Sequence, residues 1–365
     1  MNPLKQLNDY GQSVWMDYIR RNLITSGELR RLINFDAVSG LTSNPTIFEK
    51  AIDESTDYDQ DLRKLLDAEP RSPTSEIYEK LIVDDIQMAA DVLRPVYDST
   101  AGTDGYVSIE VSPHLAHDTA ESIVEARRLW NEVGRPNLMV KIPATREGIP
   151  AIEELLAGGI NVNVTLMFSQ AHYEAVAGAF LAGAERCAEP RRLASVASVF
   201  VSRVDTKVDR ALEGIGTPDA LALRGKIAIA NAKVIYHRFR EVFHGDRFRG
   251  LRARGVRVQR VLWGSTGTKN PAYSDVMYVE ALIGADTINT LPVATLNAFR
   301  DHGRVRGTTI LEEGMQARAD LERLKRLGID LNSVTEELQA EGVDSFTASM
   351  DKLLTSLAKK RDVYV

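Results

Sequence analysis

Short apolar runs rich in β-branched residues recur along the chain and alternate with longer segments of amphipathic character. Such runs predict β-strands near residues 12–18, 38–43, 106–111, 138–142, 160–168, 194–201, 258–263 and 286–291. Helical patterns separate most of these strands. Eight strands that alternate with helices are typical of a closed parallel barrel, so the sequence predicts an α/β protein with a (β/α)8 TIM-barrel fold.

Apolar side chains spaced three and four residues apart predict several of the intervening helices. The clearest cover residues 75–97, 118–133, 148–157 and 169–187. Terminal signals support three of them. Asp118 and Glu121 have the spacing of a capping box, Ser169 is a suitable N-cap residue, and Gly158 follows the third helix as a stop signal.

The chain has no low-complexity tract or clear repeat, and we predict a single domain over residues 1–365. The barrel is expected to cover about residues 10–300, with a C-terminal helical extension over about 301–365. The interval from 44 to 105 is predicted to hold two helices, which enlarges the unit after the second strand. Beyond residue 292 the pattern predicts helices at 307–327 and 345–360, and it predicts loops at 68–75, 98–105 and 244–255.

Composition narrows the possible functions. The 365 residues are 44% hydrophobic and 26% charged, as in ordinary globular proteins, and the net charge of −6 disfavours binding to nucleic acid or to anionic membranes. The one cysteine, Cys187, cannot form an internal disulfide. The start of the chain lacks the apolar core of a signal peptide, and no apolar run is long enough to span a membrane. We therefore expect a cytoplasmic protein.

Polar side chains interrupt several predicted strands, although strands of parallel barrels are usually almost continuously apolar. Alternation along the strands directs Glu110, Lys141 and Asp17 into the barrel, and it does the same for Asn163 and Thr165. These residues are expected to converge near the carboxyl ends of the strands, where barrels of this kind have their active sites.

A lysine between two carboxylates suits amine catalysis. Desolvation drives a lysine amine toward its neutral form, which can attack a ketone and form a Schiff base that favours carbon–carbon cleavage. Carboxylates can supply the proton transfers that this chemistry requires. The alternative is a buried structural ion pair between Lys141 and either Glu110 or Asp17. A single structural ion pair does not require the second carboxylate or the additional hydroxyl and amide groups that face the same interior, so the catalytic interpretation is favoured.

Four strings that contain these residues resemble the transaldolase family. They are Gly40–Thr46, Asn137–Thr145, Asn161–Ser169 and Ala197–Asp205, and they occur in the order and spacing of that family between about residues 10 and 300. The loop after the seventh strand, Trp263–Asn270, lacks the Ser-Phe-Arg segment of one branch and resembles another branch.

The resemblance implies a role for each inward residue. Lys141 would form the Schiff base, Glu110 would transfer protons with a water held by Thr165, and Asp17 would be the acid–base group at the carbon–carbon bond. Arg203, which must lie beyond the end of its strand, and Lys269 would hold phosphate. The implied substrate-binding residues are Asn44, Asn163, Ser198, Arg203, Thr266 and Lys269.

The reaction implied by the resemblance moves a dihydroxyacetone unit from sedoheptulose 7-phosphate to glyceraldehyde 3-phosphate. The products are erythrose 4-phosphate and fructose 6-phosphate, in the non-oxidative pentose phosphate pathway, and neither a cofactor nor a metal is expected. The expected partners are sugar phosphates only, and monomer and homodimer both remain open.

Two other functions remain open at this point. The first is an aldolase of the fructose 6-phosphate type that releases free dihydroxyacetone, although Phe200 favours transfer because aldolase-type relatives tend to have tyrosine there. The second is a non-catalytic barrel that binds sugar phosphates. Other candidate sites are weaker, because Gly264–Lys269 lacks the order of a P-loop and the pair His114 and His117 lacks a third metal ligand.

Overall fold

The computed structural model describes residues 2–364, and within them the eight predicted strands form a closed barrel. Neighbouring strands pair in parallel and in chain order, and the last strand closes against the first. The strands are β1 (Gln12–Asp17), β2 (Val38–Thr42), β3 (Tyr106–Glu110), β4 (Leu138–Pro143), β5 (Val162–Met167), β6 (Ser195–Phe200), β7 (Arg260–Gly264) and β8 (Thr287–Leu291). The predicted (β/α)8 fold is confirmed. Met1 and Val365, the ends of the predicted domain, lie outside the described residues.

Helices surround the barrel and cover one of its ends. Within residues 2–364 they are α1 (Pro3–Asp9), α2 (Arg21–Thr25), α3 (Glu28–Asp36), α4 (Pro45–Asp53), α5 (Asp59–Ala68), α6 (Thr74–Ser99), α7 (Thr119–Val133), α8 (Gly148–Ala157), α9 (Gln170–Arg186), α10 (Ser202–Ile215), α11 (Pro218–Leu221), α12 (Ile227–Phe243), α13 (Arg249–Ala253), α14 (Met277–Ala281), α15 (Val293–His302), α16 (Gly314–Arg326) and α17 (Leu331–Tyr364). Short 3-10 helices cover Pro113–Leu115, Asp246–Phe248 and Thr309–Leu311. None of the helices in this part of the chain is both long and apolar enough to cross a membrane.

The predicted helix ends are confirmed by their hydrogen bonds. The Asp118 side chain accepts from the backbone N–H of Glu121 at 3.0 Å, which starts α7. The Ser169 hydroxyl accepts from the backbone N–H of His172 at 3.0 Å, which starts α9. Gly158 is the C-cap of α8. The side chains of Asp118 and Ser169 satisfy backbone N–H groups that the first turn of a helix leaves without partners.

The segment between β2 and β3 holds three helices, α4, α5 and α6, so the prediction of two is wrong. A local competition for hydrogen bonds separates α4 from α5. The Ser55 hydroxyl donates to the Ala51 carbonyl at 2.6 Å and accepts from the Asp57 backbone N–H at 3.3 Å. Side-chain bonds of this kind replace the helical ladder, and Arg20 also holds the Asp57 carboxylate at 2.5 Å.

Two other predicted segments differ from the structure. Residues 244–255 were predicted as a loop but contain a 3-10 turn and the five-residue helix α13. The helix predicted at 345–360 in fact begins at Leu331. Its early turns were missed because they bury polar side chains, such as Gln339, where the prediction expects apolar ones. These polar positions interrupt the apolar spacing on which the prediction depends.

Helix α17 lies across the carboxyl ends of the strands. The Gln339 side chain donates to the backbone carbonyls of Ala144 and Leu166, both at 2.9 Å, directly beyond β4 and within β5. Farther along the helix, the hydroxyl groups of Ser349 and of Thr46 in α4 are hydrogen-bonded at 2.8 Å. The C-terminal extension therefore closes one side of the barrel mouth.

Apolar side chains fill the opposite end of the barrel interior. This layer consists of Trp15, Tyr106, Met139, Ala194, Val196, Leu262 and Ile288. The largest side chain among them, Trp15, pairs in register with Gly40 on β2. A Cβ atom on Gly40 would lie 2.4 Å from the indole ring, so glycine is required for the indole to fit.

We predict that Gly40→Ala destabilises the protein by about 2 kcal/mol or more, because it overpacks a layer that is already full. The matched control is Gly178→Ala in α9, where a new Cβ would meet nothing within 4 Å. That control is expected to be neutral or to stabilise by about 0.5–1 kcal/mol through helix propensity. Chemical denaturation measures both, and equal effects of the two changes would contradict this account of the layer.

Candidate active site

The carboxyl ends of the strands open into a cavity of about 460 Å³. Eight of the predicted site residues line it: Asp17, Asn44, Lys141, Asn163, Thr165, Ser198, Arg203 and Lys269. Glu110 lies beside Lys141 and is bonded to it. Thr266 is outside the lining, because it is fully buried and donates its hydroxyl to Asn289 at 2.9 Å.

Lys141 is the most enclosed cation of the cavity, with 4% of its surface exposed. Its ammonium group donates to Glu110 Oε2 at 3.0 Å and to the backbone carbonyl of Ser43 at 2.9 Å. The register of β3 and β4 sets Glu110 directly opposite Lys141. The ring of Phe346, from α17, lies 5.9 Å from the ammonium nitrogen. This lysine therefore faces the cavity with one carboxylate partner and an aromatic cover.

The pKa values of Glu110 and Asp17 are both raised, which favours the protonated form of each carboxyl group. Burial raises the pKa of Glu110 above its ordinary value, and the charge of Lys141 opposes that rise. Burial likewise raises the pKa of Asp17, against the charge of Lys141 and a hydrogen bond from Thr42. A raised pKa makes each ionised carboxyl a stronger proton acceptor than an ordinary carboxylate.

Two threonines fix the orientation of Asp17. The Thr42 hydroxyl donates to Asp17 Oδ1 at 2.7 Å, and strand register pairs these two residues on β1 and β2. Thr42 also lies 2.8 Å from the hydroxyl of Thr290 on β8. Thr42 of β2 therefore holds the carboxylate directly, and Thr290 of β8 fixes the hydroxyl of Thr42.

A chain of polar side chains crosses the cavity floor from β6 to β3. The Ser198 hydroxyl donates to Asn163 Oδ1 at 2.6 Å, and Asn163 Nδ2 donates to the Ser108 hydroxyl at 2.9 Å. These bonds fix which way the amide faces. The buried Thr165 hydroxyl has no partner among the described residues, so it is available to a substrate or a water molecule.

Two cations lie on the side of the cavity formed by β6 and β7. Arg203 is in the first turn of α10, beyond the end of β6 as predicted, with its guanidinium 5.3 Å from the centre of the Phe200 ring. Burial lowers the pKa of Arg203, whereas Asp17 and Glu341 oppose that change. Lys269 is exposed on the loop after β7. A guanidinium and an ammonium that share a concave surface are suited to a phosphate group.

Sequence reasoning missed several residues that line the cavity: Tyr18, Thr42, Lys50, Thr290 and Phe346. Thr42 is inside the string Gly40–Thr46, and alternation along β2 indicates that it shares the inward face with Gly40. Phe346 has no such signal, because no local pattern shows that α17 folds back over the barrel.

Other features of the described residues are less suited to chemistry. No three histidine, cysteine, aspartate or glutamate side chains between residues 2 and 364 are arranged to hold a metal ion. His114 and His117 are exposed and contact different carboxylates, Asp351 and Glu147. A larger groove of about 710 Å³ lies outside the barrel, beside α12 and α16. Of the two cations that line it, Lys233 and Arg318, Lys233 is bonded to the carbonyl of Glu312.

We predict that Lys141→Met destabilises the protein more at pH 8 than at pH 5, by about 1–2 kcal/mol. Removal of the lysine charge lets the pKa of buried Glu110 rise further. A carboxyl whose pKa is higher in the folded state stabilises the fold at low pH and loses that contribution as pH rises. Urea denaturation at both values measures the difference. Lys64→Met is the control, since Lys64 is largely exposed, and the same pH dependence there would refute the prediction.

The chain is similar to known proteins over nearly its whole length. A family described as transaldolase/fructose-6-phosphate aldolase matches residues 14–357. A protein of Thermobifida fusca named transaldolase is 50% identical over 363 residues, which cover 98% of each chain. A transaldolase of Thiobacillus denitrificans is 49% identical over 362 residues, 98% of this chain and 100% of that one. A protein of Streptomyces avermitilis named transaldolase 2 is 48% identical over 357 residues, 97% of this chain and 95% of that one.

Proposed function

The chain belongs to the transaldolase/fructose-6-phosphate aldolase family, and we propose that it acts through a Schiff base on Lys141. Its function is that of a transaldolase, a transferase of ketone residues. One observation carries the mechanism. A buried lysine, bonded to Glu110 at 3.0 Å, faces a cavity that is also lined by the carboxyl group of Asp17.

The first half of the reaction forms and breaks bonds at Lys141. Glu110 takes a proton from the Lys141 ammonium to which it is bonded, and the neutral amine attacks the ketone carbon of sedoheptulose 7-phosphate. Glu110 then transfers the protons that let the carbinolamine lose water. Thr165, whose hydroxyl lacks a protein partner among the described residues, holds that water. Asp17 takes the proton from the hydroxyl beyond the breaking bond. The carbon–carbon bond then breaks and erythrose 4-phosphate leaves. The electron pair of the broken bond remains on the enamine.

The second half reverses these steps with another aldehyde. The enamine carbon attacks the aldehyde carbon of glyceraldehyde 3-phosphate, and Asp17 returns its proton to the new alkoxide. Water then hydrolyses the Schiff base, which restores the amine and releases fructose 6-phosphate. Asn163 and Ser198, which are fixed by their mutual hydrogen bond of 2.6 Å, bind hydroxyl groups of the three-carbon unit together with Asn44.

Transfer rather than release requires the enamine to outlast the first product. Phe200 lines the cavity at the end of β6 and packs edge-on against Phe168, with ring centres 5.3 Å apart. A phenylalanine here has no hydroxyl that could position water or a proton for early hydrolysis. This observation favours transfer over release of free dihydroxyacetone.

We predict that the protein converts fructose 6-phosphate and erythrose 4-phosphate to sedoheptulose 7-phosphate, with little free dihydroxyacetone. Lys141→Met should lower kcat by about a thousandfold or more, because the nucleophile is lost. Lys64→Met, with an exposed lysine, should keep full activity. Product analysis by mass spectrometry measures both ketoses. Dihydroxyacetone as the main product would instead support the aldolase, and undiminished activity of Lys141→Met would exclude the Schiff base.

We predict that Arg203→Ala raises KM for glyceraldehyde 3-phosphate by about ten- to a hundredfold, the expected effect of one lost charge-assisted contact to phosphate. Unphosphorylated glyceraldehyde should be used with kcat/KM changed by no more than about twofold. Arg210→Ala, at an exposed position of the same helix, is the matched control. An equal loss with both acceptors would count against a phosphate-binding role.

A further inference from the structure

The two cations proposed to bind phosphate lie on separate elements. To bind one phosphate group together, these elements must keep a constant distance and orientation to each other. Arg203 is on α10, whereas Lys269 is on the loop from Ser265 to Val276 that follows β7. Near the barrel the two elements are joined, since the backbone N–H of Ser202 donates to the Ser265 carbonyl at 3.0 Å. Like charges repel, so the far part of the loop needs an anchor of its own.

The far part of this loop is anchored to α10 by a tyrosine and a carboxylate. The Tyr273 hydroxyl donates to Asp209 Oδ2 at 2.6 Å, and the backbone N–H of Gly225 donates to Asp209 Oδ1 at 3.0 Å. A Cβ on Gly225 would come within 2.9 Å of the Tyr273 ring, so the ring lies directly against this glycine. Asp209 is buried, which makes its bond with the tyrosine stronger than a solvent-exposed one.

A second pair of the same kind lies one helical turn earlier. The Tyr278 hydroxyl donates to Asp205 Oδ2 at 2.9 Å, and the backbone N–H of Ala228 donates to Asp205 Oδ1 at 2.7 Å. Asp205 and Asp209 are four residues apart and therefore share one face of α10. Each carboxylate joins the helix to a backbone amide of residues 225–228 and to a tyrosine beyond β7.

The other polar bonds of the loop do not join its far part to α10. The Thr266 hydroxyl donates to Asn289 of β8 at 2.9 Å, at the end of the loop near the barrel. Thr268 donates to the Ser274 carbonyl at 2.8 Å, and Asn270 accepts from the Ala272 backbone N–H at 2.9 Å, so both bonds stay within the loop. They join the residues on either side of Lys269 to the part of the loop that holds Tyr273. An external contact, between Asp275 and His302 at 2.9 Å, is exposed on both sides and contributes little.

We propose that Tyr273 and Asp209 are positioning residues for phosphate recognition, because their hydrogen bond fixes Lys269 relative to Arg203. Neither residue lines the substrate cavity, so both act through the cations. The inference rests on the proposed function, in which Arg203 and Lys269 hold the phosphate of the sugar. It extends that function by assigning the loop geometry to a contact outside the cavity.

The test compares phosphorylated and unphosphorylated acceptors in Tyr273→Phe, which removes the hydroxyl but keeps the ring against Gly225. We expect KM for glyceraldehyde 3-phosphate and the inhibition constant of inorganic phosphate to rise about fivefold. With unphosphorylated glyceraldehyde, kcat/KM should change by no more than about twofold. The matched control is Tyr236→Phe, which loses a tyrosine hydrogen bond of 2.9 Å to the Ala285 carbonyl.

Asp209→Asn provides a second variant that weakens the same bond, and thermal unfolding shows whether each variant is folded under the assay conditions. Burial raises the pKa of Asp205 to about 7, so assays at about pH 8.5 keep the carboxylate of the neighbouring pair ionised. The same selective loss in both variants would support the proposal. Unchanged kinetics in either folded variant, or an equal loss with both acceptors, would overturn it.

Arg203→Ala, measured in the same assays, separates this inference from the function on which it rests. If Arg203→Ala is selective for the phosphorylated acceptor and Tyr273→Phe is not, only the positioning role fails. If Arg203→Ala is not selective either, the phosphate subsite itself is wrong and the inference fails with it.

Discussion

The hydrogen-bonded ion pair between Lys141 and Glu110 is the interaction on which the rest of the site depends. Removing two charges from water is costly, and their mutual attraction offsets that cost only when the geometry is good. Parallel pairing of β3 and β4 supplies this geometry by setting the two residues opposite each other. The barrel therefore keeps a reactive amine enclosed without leaving its charge unpaired.

Keeping water away from this pair requires a cover that the barrel alone does not provide. Helix α17 supplies it, with Phe346 near the lysine and Gln339 bonded to two carbonyls at the ends of neighbouring strands. Helix α17 thus completes a site whose other residues lie on the barrel strands and on the segments that follow them. Arg203 and Lys269 leave the side of the cavity at β6 and β7 positively charged and suited to an anionic substrate.

Most of the barrel and much of the cavity could be predicted from the sequence, because both depend on short periodic patterns. Alternation along single strands was sufficient to direct Lys141, Glu110 and Asp17 to one interior. The break between α4 and α5 could not be predicted in this way, since it depends on the hydrogen bonds of the Ser55 side chain. Phe346 could not be predicted either, because its position follows from contacts between segments about two hundred residues apart.

The most direct test of the central claim is to trap the covalent intermediate. The protein is incubated with fructose 6-phosphate, reduced with borohydride and digested, and its peptides are mapped by mass spectrometry. The mechanism predicts a reduced three-carbon adduct on Lys141, which erythrose 4-phosphate depletes when it is added before the reductant. If no lysine is labelled, or if another lysine carries the adduct, the claim that Lys141 forms the Schiff base is wrong.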